Sequence, residues 1–226
     1  EPDGNSLDHP ASDSERFLEI GNNVFMCYKK EGTGFVKMQN PNIDYGGGLE
    51  RVAAALNDDR DVFNTAFFFN AKKKLTELSG KDYADDFKSF RIILDHVRAA
   101  VFLINDGEEP ANSDAGYITR RLLRRAIRAG KKIGIQGSFM GELSEVYIDE
   151  ATAYEDLHSN KKKVIEIINK EENLFYKTLQ QGELEIQKHL KNKGKVTGAD
   201  AFYFYETYGF PLELTEEFLT ENGCSI

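Results

Sequence analysis

The sequence has two cysteines and no long apolar run, and both shortages limit what the protein can be. Cys27 and Cys224 stand far apart, which gives neither a disulfide framework nor the spacing of a zinc site. A reducing, cytoplasmic location is therefore expected. Apolar runs are as short as AAVFLI at residues 99–104, whereas a membrane-spanning helix needs about 20 apolar residues. We expect no membrane span.

Positive charge is also in short supply. The 226 residues include 29 Lys and Arg against 38 Asp and Glu, for a net charge of −9. The molecule as a whole therefore repels polyanions, and any nucleic-acid site must be a local patch. At 40% hydrophobic residues the chain has enough apolar material for one large domain or two small ones.

The order of elements predicts a mainly α protein with a small antiparallel β piece at the front. Residues 24–28 and 34–38 favour strands and flank the polar turn KKEGT, as in a hairpin. Four proline-free segments with apolar residues at steps of three and four follow: GLERVAAAL, DVFNTAFFFNAKKKLTEL, SFRIILDHVRAAVFLIND and GYITRRLLRRAIRAGKKI. Residues 156–193 predict one or two long helices, and two short helices around a Gly-Phe-Pro turn close the chain.

Three glycines precede the first predicted helix, which carries Arg51 in its first turn. Without Cβ atoms the backbone can approach a ligand closely, and the free N–H groups of a helix start favour an anion. Arg51 adds a fork of donors suited to phosphate. The same residues also fit a tight strand-to-helix turn in which Arg51 pairs with a nearby acid, so the pattern alone leaves both interpretations open. The glycines are Gly46, Gly47 and Gly48.

A basic segment stands out from the acidic background. No acidic residue occurs between Ala115 and Gly141, and at about 100° per residue the basic side chains are predicted to share one helix face. Phosphates of a nucleic acid fit such a face, although acidic residues of the long helix could instead neutralise it. The basic residues are Arg120, Arg121, Arg124, Arg125, Arg128, Lys131 and Lys132, and the predicted apolar face is Ile118, Leu122, Ala126, Ala129 and Ile133.

Histidine spacing predicts no catalytic or metal site. His9, His96, His158 and His189 do not cluster in sequence. On its largely apolar helix, His96 is expected to be structural. No metal site is predicted.

Several motifs in one order resemble alanyl-tRNA synthetases, a family of class II aminoacyl-tRNA synthetases. DYGGGLERVAAAL is similar to class II motif 3. EIGNNVFM, the whole of residues 91–130, KEENLFYKTLQQG and FYETYGFPLELTEE are similar to later parts of the same family. The resemblance covers the chain from about Phe17 to its end.

The resemblance implies a substrate site near the front of the chain. Arg51 matches the motif 3 arginine, which stabilises the negative charge of ATP while alanine attacks the α-phosphate, and Gly46, Gly47 and Gly48 would lie against ATP. Asp44 matches the carboxylate that holds the α-ammonium of alanine, and Asn22 would hydrogen-bond the amino acid. Taken without the family, Asn22 and Asp44 also fit turn or cap residues.

The resemblance further implies recognition of the tRNA(Ala) acceptor stem. Asn112 matches an asparagine that helps to recognise a G·U wobble pair. Glu206 stands where the family motif YDTYGFP has aspartate, and its longer side chain alters the contact. Phosphate contacts are assigned to the arginines of the basic segment: Arg120, Arg121, Arg124, Arg125 and Arg128.

These implications define the expected organisation and activity. Residues 1–60 would be the end of a class II catalytic core, and residues 61–226 a helical tRNA-recognition domain. Motifs 1 and 2 and the zinc-containing editing region have no counterpart here, so a piece inactive by itself is expected, from an alanine-tRNA ligase that uses ATP and Mg²⁺. Two other classes stay open: a non-enzymatic RNA-binding module derived from a synthetase, and a nucleotide-binding helical protein.

Overall fold

The computed structural model describes residues 17–208 and 210–226. The acidic start of the chain, His9 and the glycine of the Gly-Phe-Pro turn lie outside the described residues. The chain divides into two compact units between Asn70 and Ala71. The domain boundary predicted after residue 60 therefore stays a prediction.

The first unit is built on an antiparallel ribbon. β1 (Gly21–Glu31) and β2 (Gly34–Gly47) are joined at Gly32, whose φ of +58° lies in the left-handed region that favours glycine. The register shifts between Met26 and Tyr28. Pro41 falls within this shift, and proline has no N–H to give to a strand ladder. Both strands are longer than predicted.

Both faces of the ribbon carry exposed apolar side chains. Phe25 is 72% exposed and Phe35 is 75% exposed. An isolated two-stranded ribbon has no second layer in which to bury such side chains. The other large exposed apolar residues of the two strands are Val24, Tyr28, Val36, Ile43 and Tyr45.

Eight helices make the described part of the chain mainly α, as predicted. Two single 3₁₀ turns, Val62–Asn64 and Tyr83–Asp85, lie between them. The α-helices are α1 (Leu49–Leu56), α2 (Ala66–Ser79), α3 (Phe87–Asn105), α4 (Asp114–Lys132), α5 (Met140–Glu150), α6 (Glu155–Lys193), α7 (Gly198–Tyr208) and α8 (Leu212–Glu221). Helix α5 was not predicted from the sequence, although its Leu143, Tyr147 and Ile148 follow helical spacing and are buried.

Helix α3 lies at the centre of the second unit and packs against α4, α5 and α6. Its N-cap is Asp86, whose side chain accepts hydrogen bonds from the backbone N–H and the hydroxyl of Ser89. The buried residues of α3 recur at helical spacing along its inward face. The buried apolar residues of α3 are Phe90, Ile93, Leu94, Val97, Ala100, Val101 and Ile104.

Helix α6 is a single helix of 39 residues, which decides between the one or two helices predicted. It contacts α3, α4, α5 and α7. Val164, Ile168 and Phe175 are buried as its apolar spacing predicts, whereas Leu174 is half exposed. The helix ends at Gly194, whose φ of +71° is the left-handed conformation common after a helix.

No helix in residues 17–208 or 210–226 is long and apolar enough to cross a membrane.

Candidate functional site

The glycine triplet joins β2 to α1, and at two of its members a Cβ would come close only to exposed side chains, which can move aside. None of the three has positive φ. A Cβ on Gly47 would lie 2.9 Å from the Tyr45 hydroxyl oxygen, and a Cβ on Gly48 would lie 3.0 Å from Cδ of Arg51. A Cβ on Gly46 would meet only Asn22 Oδ1, at the ordinary contact distance of 3.5 Å. Gly46 therefore leaves open surface that neither packing nor torsion requires.

Arg51 folds back beside the start of α1. Its Nη1 donates to the backbone carbonyl of Glu19 at 2.9 Å, while its side chain stays exposed. Gly48, the N-cap, has extended backbone and no side-chain cap, so the N–H groups of the first turn have no side-chain acceptor from the cap residue. The predicted alternative, an internal pairing of Arg51 with an acid, is not what the described residues show, since its partner is a carbonyl.

Asn22 and Asp44 share one face of the ribbon. Asn22 pairs with Gly46 and Val24 pairs with Asp44 in the antiparallel register. Cross-strand partners and alternate residues point to the same side, so Asn22 and Asp44 are diagonal neighbours, about 7–8 Å apart at Cα. Both are exposed strand residues. The interpretation of them as turn or cap residues is therefore wrong.

This face offers a carboxylate, a carboxamide and an uncovered glycine backbone within one short stretch of ribbon. A carboxylate can hold an ammonium group, and a carboxamide can both donate and accept hydrogen bonds. The arrangement suits a small zwitterion better than a metal ion. Among the described residues, no group of three or more His, Cys, Asp or Glu side chains could hold a metal.

A second candidate site begins in the loop between α3 and α4, which carries Asn112. The loop folds against the first turn of α4 because Gly116 has no side chain: a Cβ there would lie 2.4 Å from the Glu109 carbonyl oxygen. The Ala111 N–H donates to the Gly116 carbonyl at 2.9 Å. Asp114 takes a left-handed φ of +55°, which is uncommon outside glycine and makes the sharp turn into α4. These features leave Asn112 exposed at a fixed place on the loop.

Arg120 holds this loop from α4. Its Nη1 donates to Oδ1 of Asn112, and its Nη2 donates to the Pro110 carbonyl at 3.2 Å. Its Nε lies 3.4 Å from Oε1 of Glu171 on α6. Two of the three guanidinium nitrogens are therefore hydrogen-bonded within the protein, whereas the buried Nε faces Glu171 as an ion pair without a hydrogen bond.

Glu171 also binds Arg124, one turn along α4. Arg124 Nε donates to Glu171 Oε1 at 2.8 Å, and the Arg124 guanidinium lies 4.9 Å from the ring centroid of Phe175. Glu171 is only 4% exposed. Two half-buried guanidinium groups thus share one buried carboxylate, which leaves a local excess of positive charge.

The basic residues of α4 fall into two groups, and the neutralisation left open above is realised for four of the seven. Glu171 pairs with Arg120 and Arg124, Glu217 of α8 with Arg128, and Glu183 of α6 with Lys131. In the part of the chain that the structure describes, the other three, Arg121, Arg125 and Lys132, are exposed and form no hydrogen bond or ion pair. Arg125 is close enough to Asp95 of α3 to help lower the pKa of that carboxyl, although the hydrogen bond with His96 is the main cause.

The buried face of α4 agrees with the predicted one at Ala126, Ala129 and Ile133 but not at Ile118 and Leu122. Ile118 is 49% exposed, and Leu122 is only half-buried. The prediction placed all seven basic residues on the outer face, but the helix is rotated so that three arginines lie at the boundary with α6 and α8. The buried residues of α4 are Gly116, Thr119, Leu123, Ala126, Ile127, Ala129 and Gly130.

Glu206 projects from α7 and is exposed. The structure shows no hydrogen bond between the described side chains of Asn112 and Glu206. Phe202 and Tyr205, one turn before and one residue before Glu206, are 60% and 54% exposed. The structure therefore offers Asn112 and Glu206 on separate elements, each with an exposed polar group.

Two adjacent acidic residues of α6 were missed by the sequence analysis. Besides Glu171, the fully buried Glu172 accepts hydrogen bonds from the backbone N–H groups of Phe139 and Met140, at 3.0 and 3.3 Å, and so caps the start of α5. Burial raises the pKa of Glu172 to about 7, although both N–H donors act in the opposite direction. The available signal was KEEN, two acids flanked by the buried steps Ile168 and Phe175.

The structural role expected of His96 stays a prediction, because its buried Nε2 has no hydrogen-bond partner among the described residues. Its Nδ1 lies 2.9 Å from Oδ2 of Asp95, and its side chain is 12% exposed.

Comparison with known proteins agrees with the motifs. The family described as "tRNA synthetases class II (A)" matches residues 3–226. Alanine--tRNA ligase 1 of Lachnoclostridium phytofermentans is 40% identical over 222 residues, which cover 94% of this chain and 25% of that protein. Alanine--tRNA ligase of Elusimicrobium minutum is 39% identical over 220 residues, covering 95% of this chain and 25% of that protein. Alanine--tRNA ligase of Desulfitobacterium hafniense is 40% identical over 224 residues, covering 95% of this chain and 26% of that protein.

The chain spans about a quarter of the length of the curated relatives it matches. The relatives and the family agree with each other along nearly all of the chain, and they confirm the resemblance to alanyl-tRNA synthetases. The chain belongs to the class II (A) tRNA synthetases.

Proposed function

We propose that this chain is part of an alanine-tRNA ligase, which activates alanine with ATP and transfers it to tRNA(Ala) in the cytoplasm. The observation that carries the proposal is the pair of exposed arginines, Arg121 and Arg125, on the helix that follows the Asn112 loop. On a chain of net charge −9, such a patch favours a polyanionic partner. The name alanine--tRNA ligase, which the relatives carry, supports tRNA(Ala) as this partner.

In the first unit, the ribbon face would hold alanine. Asp44 would bind the α-ammonium group, because a cation removed from water needs an opposite charge. Asn22 would hydrogen-bond the amino acid beside it. The open surface over Gly46 gives the substrate room next to the backbone.

The turn from β2 to α1 would hold the phosphates of ATP. The N–H groups at the start of α1 favour an anion, with Gly46, Gly47 and Gly48 providing close approach. Arg51 would be the catalytic residue. One nitrogen of its guanidinium is fixed on Glu19, and the rest can stabilise the negative charge that builds up as the alanine carboxylate attacks the α-phosphate.

Mg²⁺ would accompany ATP and neutralise part of its phosphate charge. The described side chains contain no metal cluster of three or more ligands, but Mg²⁺ bound to a nucleotide takes most of its ligands from phosphate and water. We therefore assign no residue of this chain to the metal.

In the second unit, the exposed arginines would contact phosphates of the acceptor stem, and Asn112 and Glu206 would reach the base pair. Phosphate contacts set the position of a nucleic acid, and base-edge contacts identify it. Arg121 and Arg125 are suited to direct phosphate contact. Arg120, Arg124 and Arg128 would contribute their charge from half-buried positions at the edge of the same patch.

The test is binding of an acceptor-stem hairpin RNA to the 226-residue chain, measured by fluorescence anisotropy at several salt concentrations. We expect weak binding that decreases steeply with salt, and Arg121→Gln and Arg125→Gln should each lower the log–log salt slope by about 1. Replacing the G·U pair by G·C should weaken binding about tenfold, the value of one base contact.

Lys161→Gln is the matched control, since it removes one positive charge that already pairs with Glu145 and Asp149. It should leave the salt slope unchanged. Binding that does not depend on salt, or an equal effect of Lys161→Gln, would contradict phosphate contact by α4. Equal affinity for the G·U and G·C stems would contradict base recognition.

A further inference from the structure

The Asn112 carboxamide has one orientation imposed on it by the protein. A guanidinium nitrogen can donate a hydrogen bond but cannot accept one, so the atom of Asn112 that faces Arg120 has to be its oxygen. The NH₂ group of Asn112 is then directed away from Arg120. At an exposed position this leaves a hydrogen-bond donor for a partner.

Arg120 is in turn fixed at both ends. The loop carbonyl of Pro110 holds Nη2, and Glu171 of α6 faces Nε. Arg120 is 20% exposed at its side chain and Glu171 only 5%. Because the carboxylate is nearly buried, its orientation is set by packing and by the hydrogen bond from Arg124, at 2.8 Å.

We infer that Glu171 is a positioning residue for base-pair recognition: it holds Arg120, and Arg120 holds Asn112 with its NH₂ group directed at the RNA. The inference rests on the proposed function for its RNA partner. The wide, shallow minor groove of A-form RNA displays base edges, including acceptors that such a donor can reach. An Asn112 free to rotate would present oxygen or NH₂ with similar ease and would discriminate poorly between base pairs.

The Glu171→Gln variant has two distinguishable effects. Loss of the charge should raise the affinity for every stem, whereas loss of positioning should lower the preference for the G·U stem. Removing one negative charge beside two arginines should strengthen binding to any stem, by about twofold to threefold as expected for a partly screened charge. Arg120 faces Glu171 as an ion pair without a hydrogen bond, so loss of the carboxylate charge should release Arg120 and lower the ratio of G·U to G·C affinity by about tenfold, the value of one base contact. A residue that only supported the fold would lower both affinities together.

Arg120→Lys provides a second variant. A lysine ammonium keeps the charge but cannot reach Glu171, Asn112 and Pro110 with a planar fork. It should lower the same ratio to the same extent, and the double variant should be no worse than either single one, as expected for two residues acting in series.

Glu183→Gln is the matched control, since Glu183 pairs with Lys131 between the same two helices. It removes the same charge and should leave the affinity ratio unchanged. Circular dichroism of each variant establishes that the helices are retained.

A readout without RNA separates this inference from the proposed function. In ¹⁵N NMR spectra, the side-chain NH₂ of Asn112 should be ordered in the starting protein and in Glu183→Gln, and mobile in Glu171→Gln and Arg120→Lys. An Asn112 side chain equally ordered in all four overturns the inference, as does an unchanged affinity ratio in folded Glu171→Gln. If the starting protein shows no preference for G·U while the NMR difference is present, the proposed function fails and the contact chain from Glu171 to Asn112 remains.

Discussion

The two units of this chain treat their aromatic residues in opposite ways. Phe25 and Phe35 of the ribbon are 72% and 75% exposed, whereas Phe90 and Phe175 of the helical unit are fully buried. Among the described residues before Ala71, only Ala54 and Phe68 are buried apolar residues. The helical unit has the core that a stable domain needs, while the ribbon has strands and a candidate substrate face without a second layer. Local pairing forms the ribbon, and long-range packing stabilises the helices.

The largest expected difference between the units is the cost of removing a phenylalanine. Phe175→Ala should lower the free energy of unfolding by about 3–5 kcal/mol, because it leaves a cavity beneath Arg124. Phe25→Ser in the ribbon should change it by about 0.5 kcal/mol or less, since the ring is mostly in water. Urea unfolding of both variants measures the difference. A ribbon variant as costly as the core variant would contradict the contrast between the units.

A second difference concerns pH and applies to the helical unit alone. The pKa of Glu172 is raised by burial from 4.5 to about 7, so the folded state holds a proton that the unfolded chain releases between these values. Stability should therefore fall as pH rises from about 4.5 to 7 and then level off, by up to about 3 kcal/mol. Glu172→Gln keeps an oxygen for the Phe139 and Met140 N–H groups and should remove this dependence. Urea unfolding at pH 5 and pH 8 tests it, and identical pH profiles for the two proteins would refute it.

The smallest expected difference concerns glycines in the two candidate sites. In Gly116→Ala the new methyl would meet the Glu109 carbonyl and Ala111 Cβ, at 2.4 and 2.7 Å, and should cost about 1–3 kcal/mol while displacing the Asn112 loop. Gly46→Ala meets only an ordinary contact, so its effect on stability should be about 0.5 kcal/mol or less. Thermal unfolding compares them. Equal shifts in melting temperature would mean that the loop, like the ribbon, adapts to a methyl group.

Periodic apolar spacing predicted most of the helices; within the second unit, α4 packs such a face against α3 and α7 packs one against α6. It did not predict α5, because this helix has only eleven residues and its N-terminus is capped by Glu172, more than 30 positions later. It also underestimated β2, because the register shift around Pro41 interrupts the alternation. Such features depend on partners distant in sequence.

The candidate sites also contain features that the local sequence predicted and features that depend on residues distant in sequence. The glycine triplet, Arg51 and Asn112 lie where their motifs predicted, at a helix start and on a loop. The rotation of α4 was predicted wrongly, since charge alone was taken to mean exposure. Arg120 and Arg124 point to a carboxylate on another helix, 51 and 47 residues away. The local sequence shows that Glu171 lies between the buried steps Ile168 and Phe175, but it does not show which basic residues the carboxylate meets.

The adjacent pair Glu171 and Glu172 has a mechanical consequence for α6. Successive residues of an α-helix differ by about 100° around its axis, so the two carboxylates face different neighbours, α4 on one side and the start of α5 on the other. A twist of α6 that improved one contact would spoil the other. The two contacts together therefore fix the rotation of α6 about its own axis. At 1.5 Å per residue, this helix is roughly 58 Å long.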